Sequence, residues 1–183
     1  MATAGQAASV LGVDIDESAV RYAGVRYAHP NVTYARGDAQ TFQSESRFDV
    51  VIGFETIEHL PDPPAYLRSV RSVLEPEGVF LVSSPISKKA VDAHPDNPFH
   101  VTEWGIKAFA DELSKYFRIE ATFLQLRKPP KTLLAGLLPP LAKGAATGFA
   151  QWVPVDMETL PAAKSPGVKL RGLQIVRCRP KPL

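Results

Sequence analysis

A single cysteine, Cys178, stands among 183 residues, which excludes an internal disulfide, and its neighbours form no metal-binding pattern. A reducing cytoplasm is the setting this implies. The formal net charge is only +2, so composition offers no ground for a nucleic-acid partner or an anionic membrane surface. No apolar run reaches the roughly 18 residues of a membrane span. The opening MATAGQAASVLGVDID also lacks the basic start and long apolar stretch of a secretory signal. Internal repeats are absent as well.

What is present is a 45% hydrophobic chain, enough for one globular domain over residues 1–183. Its 17 prolines gather at PDPP, PDNP, KPPK and LLPP, where they punctuate connections. Val10 to Asp14 reads as a strand, and Asp16 is placed to cap a helix carrying Ala19, Val20, Ala23 and Tyr27 at helical spacing. Val32 and Tyr34 alternate in a second strand before GDAQ. FDVVIGF is a near-continuous apolar strand of the kind covered on both faces. Tyr66, Leu67, Val70, Val73 and Leu74 form a helical stripe that ends at Pro76 and Gly78, ahead of the strand VFLVSS.

Thr102 is the expected cap of a helix running to about Tyr116, and FRIEATFLQL and GLQIVRCRP read as two closing strands. Between them, Arg127 to Arg171 is a long connection of about 45 residues, either a lid over a site or a variable surface excursion. Strand and helix alternation predicts an α/β fold, a doubly wound sheet whose ligands bind beyond the carboxyl ends of the strands. That places a site at Asp14, Asp38, Phe54 to His59, and Ser83 to Pro85.

The segments VLGVDIDESAVRYA, VTYARGDAQTF, FDVVIGFETIEHLPDP and LRSVRSVLEPEGVFLVSSP occur in that order. With NPFHVTEWGIKAFADEL they cover Val10 to Leu113, and together they resemble the class I S-adenosylmethionine-dependent methyltransferases. The resemblance implies a Rossmann-like, mostly parallel sheet with a final antiparallel strand. It implies that Asp14 accepts the ribose hydroxyls and that Ile15 packs on the adenine. It further implies that Asp38 and the Ala39 amide face the adenine edge, and that the Phe54 carbonyl faces the cofactor's amino group. Read without the family, Asp14 has a second reading as a turn aspartate satisfying nearby amides, and GD is a common turn pair.

Were Glu55 to Leu60 a helix, Glu55, Glu58 and His59 would stand at i, i+3 and i+4 on one face, a spacing that suits a divalent ion. The E-x-x-E-H pattern resembles an element of the metal-dependent RNA 2′-O-methyltransferases and of the quinone-ring O-methyltransferases. HVTEW then nominates His100 as a fourth ligand, with Thr102 departing from the aromatic found there in the RNA enzymes. The alternative is metal-free: His59, the candidate catalytic residue, lines the pocket, and His100 fixes a loop. Ser83 and Ser84 either border the acceptor or end a strand.

The family's opening strand and its glycine-rich loop have no counterpart here, so the sheet is expected to be N-terminally incomplete. Two apolar strand edges should then lie open to self-association, unless the flanking strands pair directly. The expectation is a methyltransferase for a small-molecule, glycan or quinone-like oxygen or nitrogen, impaired in cofactor binding by truncation. Two other classes stand beside it: a non-catalytic remnant or partner-dependent subunit, and an NAD-dependent oxidoreductase that would use Asp14 for ribose.

Overall fold

The structure, a computed structural model, describes residues 7–126, 152–155 and 172–182. Strand Val10–Asp14 (β1) leads into helix Glu17–Arg26 (α1), which Asp16 caps by accepting from the Ser18 amide at 2.7 Å. Strand Val32–Arg36 (β2) returns parallel to β1, with Val10 opposite Val32 and Asp14 opposite Arg36. These strands make a two-stranded sheet of their own, and α1 buries none of its residues.

A second strand-helix-strand unit follows. Strand Phe48–Gly53 (β3) passes through a single 3-10 turn, Ile57–His59, into helix Pro63–Val73 (α2). Asp62 caps α2 through the Ala65 amide at 2.9 Å, and two prolines open its first turn, where a missing N–H does no harm. Strand Leu74–Pro85 (β4) then pairs parallel with β3. Beyond it come the short antiparallel pair Val91–Asp92 (β5) and Glu103–Trp104 (β6), helix Ile106–Leu113 (α3), and strands Phe117–Leu126 (β7), Trp152–Val155 (β8) and Gly172–Pro180 (β9).

The main sheet has the order β3-β4-β9-β7-β8. Both strand-helix-strand units pair in parallel, while β9 inserts antiparallel between β4 and β7 and β8 adds antiparallel to β7. This is the expected α/β, Rossmann-like arrangement with its closing antiparallel strand. Strand β8, inside the long connection, was not foreseen, and the rest of residues 127–171 lies outside the described residues. The core lies where α2 and α3 meet the main sheet, built on Tyr66, Leu67, Val70, Phe80, Phe109, Leu113 and Phe117. Phe80 sits at its centre, with the Tyr66 ring 6.1 Å and the Phe117 ring 5.2 Å away, spacings at which aromatic pairs attract.

Three expectations are corrected. Thr102 does not cap a helix: its amide and that of Val101 donate to the Glu58 carbonyl, residues 103 and 104 form β6, and Gly105 caps α3. The segment from Glu55 is not an α-helix, because Glu55 has a φ of 49° and only Ile57–His59 turns, as 3-10. Strand β3 is covered on one face only: Val51 packs on the core, whereas Val50 and Ile52 remain 50% and 49% exposed. Direct pairing of β1 with β3 does not occur, so each keeps one edge without a strand partner among the described residues.

Candidate active site

The carboxyl ends of the parallel strands gather the first group of expected residues. Because Asp14 lies opposite Arg36, Asp38 falls just past the same end of the small sheet, and the Gly37 amide donates to the Asp14 carbonyl at 2.9 Å. The Asp14 carboxylate accepts from the Asp16 amide through Oδ1 at 2.9 Å. Its Oδ2 makes no hydrogen bond among the described residues. Ile15 is 64% exposed, an apolar side chain left open beside that carboxylate.

Asp38 Oδ1 accepts from the Gln40 amide at 2.9 Å, and the Gln40 side-chain amide reaches the same carboxylate. Gln40 Oε1 in turn accepts from the Asp62 amide at 2.8 Å. One glutamine thus ties the loop after β2 to the loop after β3. Ser69 Oγ strengthens the junction by donating to the Phe42 carbonyl at 2.8 Å, and Ala39 packs against the core. Phe54, immediately beyond β3, is 46% exposed, and its carbonyl accepts from Thr56 Oγ1 at 3.1 Å.

The FETIEH segment divides in two. Glu55 turns toward β4: its amide donates to Ser83 Oγ at 2.9 Å, and Ser83 Oγ donates to Glu55 Oε1 at 2.6 Å. Ser83 and Ser84 are buried, so Ser83 acts as a clasp between strand tips. Glu58 points elsewhere. It is fully buried, and neither carboxylate oxygen has a hydrogen-bond partner among the described residues. Loss of hydration on burial pushes its carboxyl up to about 7.

Beside Glu58 lie the two imidazoles. His59 Nδ1 donates to the Phe99 carbonyl at 2.8 Å, and His100 Nδ1 donates to Glu103 Oε1 at 2.6 Å. The His59 and His100 rings meet edge to face, 4.8 Å between centroids. Glu58, His59 and His100 each offer one ligand atom within 4.8 Å of the others. Of the four residues nominated for a metal, the structure brings these three together and sends Glu55 to Ser83. The supporting residues Asn97, Phe99 and Glu103 were missed, although Glu103 follows His100 by three positions in the quoted HVTEW.

A sequence model of the family described as "Methyltransferase domain" matches residues 1–120, well over half of the chain. The chain belongs to the methyltransferase-domain family. A probable S-adenosylmethionine-dependent methyltransferase of Mycolicibacterium smegmatis is 39% identical over 97 residues, 51% of this chain and 37% of that protein. A second so described, from Mycobacterium tuberculosis, is 35% identical over 122 residues, 66% of this chain and 42% of that protein. This methyltransferase-family chain therefore spans well under half the length of the curated relatives it matches.

Among solved structures, the N-methyltransferase NodS from Bradyrhizobium japonicum, in complex with S-adenosyl-L-homocysteine, superposes with a TM-score of 0.58 at 15% identity. The superposition covers 95% of this chain and 67% of NodS, and at that identity it speaks for the fold alone. No described helix of this methyltransferase-family chain is long and apolar enough to cross a membrane.

Proposed function

We propose that the chain binds S-adenosylmethionine at the carboxyl ends of β1, β2 and β3 and serves methyl transfer to an oxygen or nitrogen of a small-molecule, glycan or quinone-like acceptor. The observation that carries this reading is the Asp38-Gln40-Asp62 bridge, which joins the loops after β2 and β3 beside the Asp14 turn. The donor set fits the cofactor. Asp14 keeps a carboxylate oxygen uncommitted for ribose hydroxyls, Ile15 offers an open apolar face for adenine, and Asp38 and the Ala39 amide supply an acceptor and a donor for the adenine edge.

When bound, the cofactor supplies an electrophilic methyl group on a sulfonium. The chain's part is alignment for an in-line displacement, with the Phe54 carbonyl holding the amino group. His59 is the residue to receive the acceptor's proton: its Nδ1–H is committed to the Phe99 carbonyl, which leaves Nε2 as the basic nitrogen. A partner-dependent subunit is the second reading, favoured by the exposed apolar side chains of Val50, Ile52 and Phe54 on and just beyond β3, a strand with one edge unpaired among the described residues.

Amide NMR spectra recorded while S-adenosylhomocysteine is added into the low-millimolar range test the proposal and detect weak binding. Shifts should concentrate at Ile15, Ala39 and Phe54, and NAD should leave them in place. Shifts confined to other regions, or equal shifts with NAD, would overturn it.

A further inference from the structure

The loop that reaches His59 presents two apolar side chains to solvent. Phe99 is 78% exposed and Val101 41%, while His100 between them faces inward, bonded to Asn97 and Glu103 and set edge to face against His59. Their main chain is pinned to the 3-10 turn that carries His59. The Phe99 carbonyl accepts from His59 Nδ1 at 2.8 Å, and the amides of Val101 and Thr102 donate to the Glu58 carbonyl at 2.7 and 3.2 Å. Asn97 fixes the approach: its Oδ1 accepts from the Phe99 amide and its carbonyl from the His100 amide, both at 3.1 Å.

Single exposed apolar residues are ordinary on a protein surface, and what sets this pair apart is its place. Both residues stand beside the imidazole that receives the acceptor's proton, on backbone held at several points. A ligand that covers them therefore gains apolar contact without having to order the loop. Neither side chain carries a hydrogen-bonding atom, so neither replaces the water that a sugar hydroxyl gives up on binding. A flat apolar ring or an alkyl chain loses no such water and packs well on a phenyl face.

We infer that Phe99 and Val101 form the apolar wall of the acceptor site. Resting on the methyl-transfer reading, they select acceptors whose oxygen or nitrogen is carried on an aromatic ring or alkyl chain, and disfavour glycans. The two residues set specificity and take no part in the transfer. His59 Nε2 stays open for the acceptor's proton, because the Phe99 main chain, and not its ring, engages the imidazole through Nδ1.

4-Butylphenol, phenol and methyl glucoside, each titrated into chain held with S-adenosylhomocysteine and followed by amide NMR, test the inference. 4-Butylphenol should bind about 10-fold more tightly than phenol, the gain from partly covering its alkyl chain, and should shift Phe99, His100 and Val101. Methyl glucoside should leave those amides in place. Phe99→Ala keeps the carbonyl that holds His59 and removes only an exposed ring, so the variant should stay folded while its preference falls to within about twofold. Val25→Ala, which trims the 86% exposed Val25 of α1, should keep the preference in full. Equal affinity for 4-butylphenol and phenol, methyl glucoside shifts at the same amides, or an undiminished preference in Phe99→Ala would overturn the inference. S-adenosylhomocysteine shifts at Ile15, Ala39 and Phe54 without any from 4-butylphenol would remove the apolar wall alone. 4-Butylphenol shifts without any from S-adenosylhomocysteine would overturn the methyl-transfer reading and the acceptor role with it.

Discussion

Ser83 Oγ both donates to the Glu55 carboxylate and accepts from the Glu55 amide, closing a two-bond ring between the tips of β3 and β4. The ring holds Glu55 at a φ of 49°, a conformation that costs a non-glycine residue about 1–3 kcal/mol. Ser83→Ala removes both bonds and leaves the Glu55 amide without that partner. It should lower unfolding free energy by about 1–3 kcal/mol, measured by urea titration. An unchanged urea midpoint would show the ring to be dispensable.

Gly53, one residue before Phe54, is required by close approach. A Cβ there would lie 1.9 Å from Tyr66 Oη, inside the core that seats α2. Gly53→Ala should therefore destabilise by about 1–3 kcal/mol. Adding Tyr66→Phe should recover most of the loss, since the next atom, Tyr66 Cζ, is 3.3 Å away. A double variant no better than the single one would place the strain elsewhere.

At the nucleoside site, Asp14 is the charged acceptor. Asp14→Ala should weaken S-adenosylhomocysteine binding about 10- to 100-fold, the range for one or two hydrogen bonds to a charged group. Asp14→Asn should lie between the two. Equal affinity in all three proteins, read from the same NMR titration, would move the ribose away from β1.

The open face of β3 makes a prediction about association. Val50 and Ile52 are half exposed on a strand whose outer edge is unpaired, the combination that invites edge-to-edge pairing. Val50→Lys with Ile52→Lys should shift sedimentation velocity profiles toward monomer while leaving the urea midpoint nearly unchanged. Loss of folding in that variant would mean the face is covered in solution.

Cys178 is buried in the core, and burial pushes its thiol up to about 12. The reactive thiolate is therefore scarce between pH 7 and 9, and a disulfide reagent should leave the native protein unmodified. Reaction should become complete on unfolding in urea. Fast labelling of the native protein would reveal opening of β9.

Much of the local structure could be read from the residues themselves. Asp16 caps α1 as its side chain and position demand, and β7 and β9 coincide with FRIEATFLQL and GLQIVRCRP, whose period of two is the signature of a half-buried strand. The stripe Tyr66, Leu67, Val70 and Val73 is the buried face of α2. FDVVIGF misled because an apolar run records what a strand can bury and not whether a neighbour arrives to bury it. FETIEH misled differently: helical spacing assumed a helix from Glu55, and a long-range clasp to Ser83 overrode it.

Chain order and side-chain chemistry alone dictated the strand-helix alternation, the family, and the short set of acids and histidines at the ends of parallel strands. Tertiary structure alone decided which of them meet. The Asp38-Gln40-Asp62 bridge, the diversion of Glu55 to Ser83 and the approach of His100 to Glu58 across some 40 positions of chain all depend on contacts between distant segments. No local propensity encodes such contacts, because each partner has its position set by packing that the other does not share.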